Sequence, residues 1–209
     1  MSEIASIAAT IFRKARGSSR VMVAVAGAPG AGKTTLAAAL AEAINAGGQS
    51  AAVVAMDGFH YDDAVLEARG HRSRKGAPHT FDFAGFRALL NRLRTGGEDV
   101  AVPVFDRTME LSRAAAAIVP ADTRIVLVEG NYLLLDEAPW RDLAPLFDVS
   151  VFIDVPREEL ERRLLERWRE HGKTEEAGRE WVASNDMPNV DLVLSRRRPV
   201  DIVLKVQVS

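Results

Sequence analysis

Eight residues, Gly27 to Thr34, read GAPGAGKT, and their types and spacing can hold a phosphate chain. The pattern is G-x-x-x-x-G-K-[ST]. Its glycines let the backbone bend round an anion with N–H groups turned inward, at the N-terminus of the next helix. Lys33 brings an ammonium to the β- and γ-phosphates, and the Thr34 hydroxyl is a magnesium ligand. A Val-rich run precedes the loop and an Ala/Leu helix comes after it, the context this chemistry needs. Gly27, Ala28, Pro29, Gly30, Ala31, Gly32, Lys33, Thr34 and Thr35 therefore form a candidate nucleotide cradle.

Two carboxylates stand where strands end. Asp57 follows AAVVAM (51–56), which reads as a buried strand. One strand over from the cradle, it can align an acceptor hydroxyl in line with the γ-phosphorus and take its proton. Gly58 then lets the backbone turn sharply. A turn or capping acid is the plainer reading of Asp57. Glu129 ends IVLVEG and is placed to hold magnesium or its water shell, unless it is only a turn residue before Gly130.

Arg163 and Arg167 lie one turn apart on an Arg-rich helix. They can carry charge onto a transferring phosphoryl group as part of a lid, or form a solvated face of Glu–Arg pairs. His60 and Tyr61 can stack on or hydrogen-bond an acceptor, or pack on the surface. The basic stretch 68–79 either attracts an anionic acceptor or is a solvated loop. Asp82 reads first as a helix cap. The guanine-reading N-K-x-D is absent, which favours a small-molecule kinase over a GTPase switch, and DFAG (82–85) opens a helix rather than ending a strand.

The elements that must position these residues alternate. Strands are expected at 21–26, 51–56, 124–130, 149–155 and 199–206, with a short pair at 100–105 and 114–120. Helical spacing marks the N-terminus (Ile4, Ile7, Ile11, Phe12), the stretch after the cradle to Gly47-Gly48, the Phe83–Leu93 stretch and the Leu160–Trp168 stretch. Residues 57–80 read as a long polar segment with at most a short helix, 184–193 as a loop, and Arg196 to Arg198 as a surface run. Strands alternating with helices imply an α/β fold of three layers, α/β/α, on a mostly parallel sheet, with a small edge strand pair and a lid. Ligands in such sheets sit beyond the carboxyl ends of the strands.

At 209 residues the chain reads as one domain, 1–209, with acceptor-binding insertions near 57–80 and 100–120 and a lid near 163–180. A net charge of −2 argues against a nucleic-acid partner. Zero cysteines excludes thiolate metal sites and fits a reducing compartment. No apolar run approaches the ~18 residues of a membrane span. The first residues lack a signal peptide's basic start and cleavage site, so a cytoplasmic protein is expected. The four histidines have no metal-ligand spacing, leaving Mg2+ arriving with ATP as the expected metal. The N-terminal helix packs within the monomer or between subunits, which leaves a homo-oligomer open.

GAPGAGKT, MDGFHY, RKGAPHTFD, VPVFDR and VEGNYLLLD, in that order, resemble the P-loop kinases that group uridine kinase, bacterial pantothenate kinase and phosphoribulokinase. The likeness is strongest to sugar kinases associated with fructose transport. It implies a P-loop NTPase fold and ATP- and magnesium-dependent transfer to a hydroxyl of a small-molecule acceptor, with a sugar such as fructose in view. It also implies that Asp57 is the base, that Glu129 lies beside the magnesium, and that Asp106 and Arg107 border the acceptor pocket. Uridine kinases read Asp-Ser-Phe-Tyr where this chain has Asp-Gly-Phe-His-Tyr, and the lid arginines do not align residue for residue. The alternatives are a kinase for pantothenate or a nucleoside, and an ATP-binding regulatory module of a transport system without an acceptor.

Overall fold

A computed structural model describes residues 3–15 and 17–206. The described residues form seven strands and seven α-helices. In chain order these are α1 (Glu3–Ala15), β1 (Val21–Gly27), α2 (Lys33–Ala46), β2 (Ala51–Ala55), α3 (Asp63–Ala68), α4 (Phe83–Thr95), β3 (Val100–Asp106), β4 (Leu111–Val119), β5 (Ile125–Gly130), β6 (Val149–Asp154), α5 (Arg157–Glu170), α6 (Glu175–Trp181), α7 (Met187–Ser195) and β7 (Ile202–Lys205). The main sheet has the order β2-β5-β1-β6-β7, and every pairing in it is parallel. β3 and β4 form a separate antiparallel pair.

The central strands β1, β5 and β6 are nearly continuous apolar runs because helices cover both faces. Ile7 and Ile11 of α1 and Leu36, Leu40 and Ile44 of α2 are buried against the sheet. Phe86, Leu90 and Leu93 of α4 belong to the same core. Asp82 caps α4, accepting from the Gly85 N–H at 2.9 Å.

Several expectations change. β2 is an edge strand rather than a buried one, and only Val54 in it is fully buried. Its small residues suit an edge because they have little apolar area to hide. Because β5 lies between β2 and β1, Asp57 is two strands from the cradle, and Glu129 occupies the strand between. Residues 57–80 carry α3 and three single turns of 3₁₀-helix rather than one short helix.

The stretch 184–193 is helical: a π turn, Val182–Asp186, joins α6 to α7. S-N-D-M-P reads locally as a loop, since Pro188 has no N–H for the carbonyl one turn back at Ser184. Arg74 supplies that hydrogen bond instead, Nη1 to the Ser184 oxygen at 2.6 Å. The arginine run after α7 is also partly used for packing, with the Arg197 guanidinium 4.5 Å from the Phe152 ring centroid.

Candidate active site

The carboxyl ends of β2, β5 and β1 are level, with Ala55 and Val25 both in register with Glu129. The chain passes into polar segments there. After β1 the loop turns through Gly30 and Gly32 at φ of 81° and 89°, a left-handed backbone that glycine adopts without strain. Gly27, Ala28 and Ala31 are buried beneath the loop. Pro29, Gly30, Gly32, Lys33, Thr34 and Thr35 line a cavity of about 670 Å³.

Asp57, Glu129, His60, Arg107, Arg163 and Arg167 line the same cavity. Lys33 donates to the Ala28 carbonyl at 3.0 Å, so its ammonium rests on the loop's own backbone. Burial lowers its pKa, against the pull of Glu129 and Asp57. The Thr34 hydroxyl donates to Glu129 Oε1 at 3.0 Å. Burial raises the Glu129 pKa, and Lys33 opposes that shift. A hydroxyl and a buried carboxylate side by side, next to an anion nest, are a donor set suited to magnesium carried by a nucleotide.

Asp57 sits in the 3₁₀ turn Met56–Phe59, directly after β2. Gly58 does not have a positive φ, so its role is not the sharp turn expected. A Cβ there would lie 2.6 Å from the Pro103 carbonyl oxygen, so glycine is needed for the close approach of β3. Arg107 reaches back from the β3–β4 turn, with Nη2 2.9 Å from Asp57 Oδ2.

His60 packs its ring 4.1 Å from Phe81 and 4.8 Å from Phe105, centroid to centroid. Its Nδ1 is 2.8 Å from the Asp57 carbonyl, which can only accept, so Nδ1 carries the proton. Burial lowers the His60 pKa and keeps the ring neutral.

Two expected acceptor residues lie outside the cavity lining. The Tyr61 ring faces Arg69, 4.5 Å from the guanidinium, and the Asp106 carboxylate is used close to its own turn. Asp106 accepts from the Thr108 and Met109 N–H groups at 3.0 Å and from Arg113 at 3.2 Å.

Arg163 and Arg167, expected on a lid, differ. Arg163 donates to Glu159 at 2.7 Å and to the Gly30 carbonyl at 3.4 Å. Arg162 shares the same carboxylate, and the two guanidiniums bring the Glu159 pKa down to about 2. Arg167 lies 3.8 Å from Asp186 and is close enough to Lys33 to lower its pKa.

Other residues complete the candidate site. Lys75 is buried and pairs with Asp63 at 2.7 Å and Glu110 at 3.3 Å. Trp168, Asn131, Glu110 and Asp186 also line the cavity. The only sequence signal for Lys75 is its place in a basic stretch, and its partners come from two separate segments.

The chain is similar to known proteins in family, in sequence and in fold. The model of the "Phosphoribulokinase / Uridine kinase family" matches residues 22–205. The chain is 34% identical over 189 residues to an uncharacterized protein of Escherichia coli, covering 90% of this chain and 78% of that one. It is 31% identical to the pantothenate kinase of Streptomyces coelicolor over 71% of this chain and 47% of that enzyme. A crystal structure of a "putative fructose transport system kinase" from Silicibacter sp. TM1040 superposes with a TM-score of 0.92 at 42% identity, covering 97% of this chain and 99% of that one.

Proposed function

The chain belongs to the phosphoribulokinase and uridine kinase family of P-loop kinases, and from that premise we propose that it moves the γ-phosphoryl group of ATP to a hydroxyl of a small metabolite, a sugar such as fructose. The observation that carries this reading is the placement of Asp57 on one cavity with Lys33, Thr34 and Glu129. Lys33 leaves the Ala28 carbonyl for the phosphates. Asp57 accepts the acceptor's proton as the new O–P bond forms and the bond to ADP breaks. Arg167 offsets charge on the transferring group. Magnesium would be held by Thr34 and Glu129, and it supplies neutralisation of the phosphate charge.

The acceptor end supports a polyhydroxylated compound. Lys75 pairs with Asp63 and Glu110, and Arg107 with Asp57, so these groups offer both donors and acceptors to hydroxyls. Similarity to the Silicibacter protein favours a sugar among such compounds. The test is ADP release with fructose and other sugars, nucleosides and pantothenate, against the rate without acceptor. Stimulation by a sugar is expected. Tight ATP binding with stimulation by none would favour the regulatory module instead.

A further inference from the structure

The π turn Val182–Asp186 is an irregularity inside an otherwise continuous helical stretch, and such turns recur at functional sites. Its last residue, Asp186, has a side chain only 9% exposed. One carboxylate oxygen accepts from the Trp168 indole N–H at 2.6 Å, and the other lies 3.8 Å from Arg167 Nη2. Both partners project from α5. The Arg167 guanidinium also lies 5.1 Å from the Trp168 ring centroid, so one carboxylate holds a stacked cation and ring together.

The turn is fixed from its other side by the loop before α4. Arg74 donates to the Ser184 carbonyl at 2.6 Å, and Asn185 Nδ2 donates to the Lys75 carbonyl at 2.8 Å. Asp186 is therefore anchored to the body of the protein while it grips the lid helix.

We propose that Asp186 is a positioning residue that sets Arg167 against the transferring phosphoryl group. This rests on the kinase reading. A guanidinium on a long side chain helps only if its direction is fixed before the charge develops, and Asp186 with Trp168 fixes it.

The test needs no acceptor. Affinity for MgADP alone and for MgADP with aluminium fluoride, a mimic of the transferring group, is measured for wild type, Asp186→Asn, Asp186→Glu, Arg167→Ala and the double variant Asp186→Asn/Arg167→Ala. Asn keeps an acceptor for Trp168 and removes the charge. Both single losses of charge should weaken the fluoride complex roughly tenfold while leaving MgADP alone within about twofold. The double variant should be no worse than Arg167→Ala, and Asp186→Glu should show a smaller loss than Asp186→Asn. Unchanged fluoride affinity in Asp186→Asn, or losses that multiply in the double variant, would overturn the proposal. A wild type that binds the fluoride complex no tighter than MgADP would overturn the kinase reading as well. Thermal melting sets the folded fraction of each variant. If Asp186→Asn does not fold, Asp186→Glu decides: its longer arm displaces Arg167, so an unchanged fluoride affinity there overturns the proposal.

Discussion

Arg107 caps the Asp57 carboxylate across 2.9 Å, from a turn that is remote in sequence. The side chains are 58% and 26% exposed, so the pair adds little to stability, about 0–1 kcal/mol. In the proposed reaction the pair stands at the acceptor end, which gives it more weight in turnover. Arg107→Ala should melt close to wild type yet lower kcat/KM for the acceptor by roughly tenfold. Equal acceptor kinetics in the two proteins would make the pair a surface contact.

Glu129 gives a prediction in which stability and activity diverge. Its folded pKa is raised by burial. Between the unfolded value, about 4.3, and the raised folded value, the unfolded chain has lost a proton that the folded chain keeps. Stability therefore falls as pH rises through that window, and the cost persists above it. Glu129→Gln removes the cost, so at neutral pH it should melt no lower than wild type. Activity should fall about tenfold or more through loss of a magnesium partner. Thermal melts and ADP release on one preparation check both. A lower melting temperature with full activity would contradict both halves.

Arg163 and Arg167 should separate. Removing Arg163 leaves Glu159 bound to Arg162, so Arg163→Ala should keep activity within about threefold. Arg167→Ala should lower kcat roughly tenfold or more with a smaller change in the ATP KM. Equal small effects would favour the solvated-face reading of both.

The parts legible in the sequence are those set by local chemistry. The cradle is readable because Gly30 and Gly32 need left-handed backbone and Lys33 opens a helix. The strands β1, β5 and β6 are readable because burial on both faces demands continuous apolar runs. Features that escape a local reading depend on distant partners. The 182–195 helix needs Arg74 to fill the carbonyl that Pro188 leaves open. Gly58 answers to Pro103 on another strand, and Lys75 is buried only because Asp63 and Glu110 converge on it. Tyr61 beside His60 looks equivalent in sequence, yet the chain turns its ring to Arg69.

Asp57 takes the acceptor's proton in the proposed reaction, and Asp57→Asn tests that role most directly. Asn keeps the size and removes both charge and basicity. The measurement is single-turnover phosphoryl transfer to the stimulating acceptor, with MgATP affinity measured alongside. The variant should fold, bind MgATP about as well as wild type, and transfer the phosphoryl group ~10²-fold or more slowly. Transfer at near wild-type rate would show that Asp57 is structural and that the base lies elsewhere.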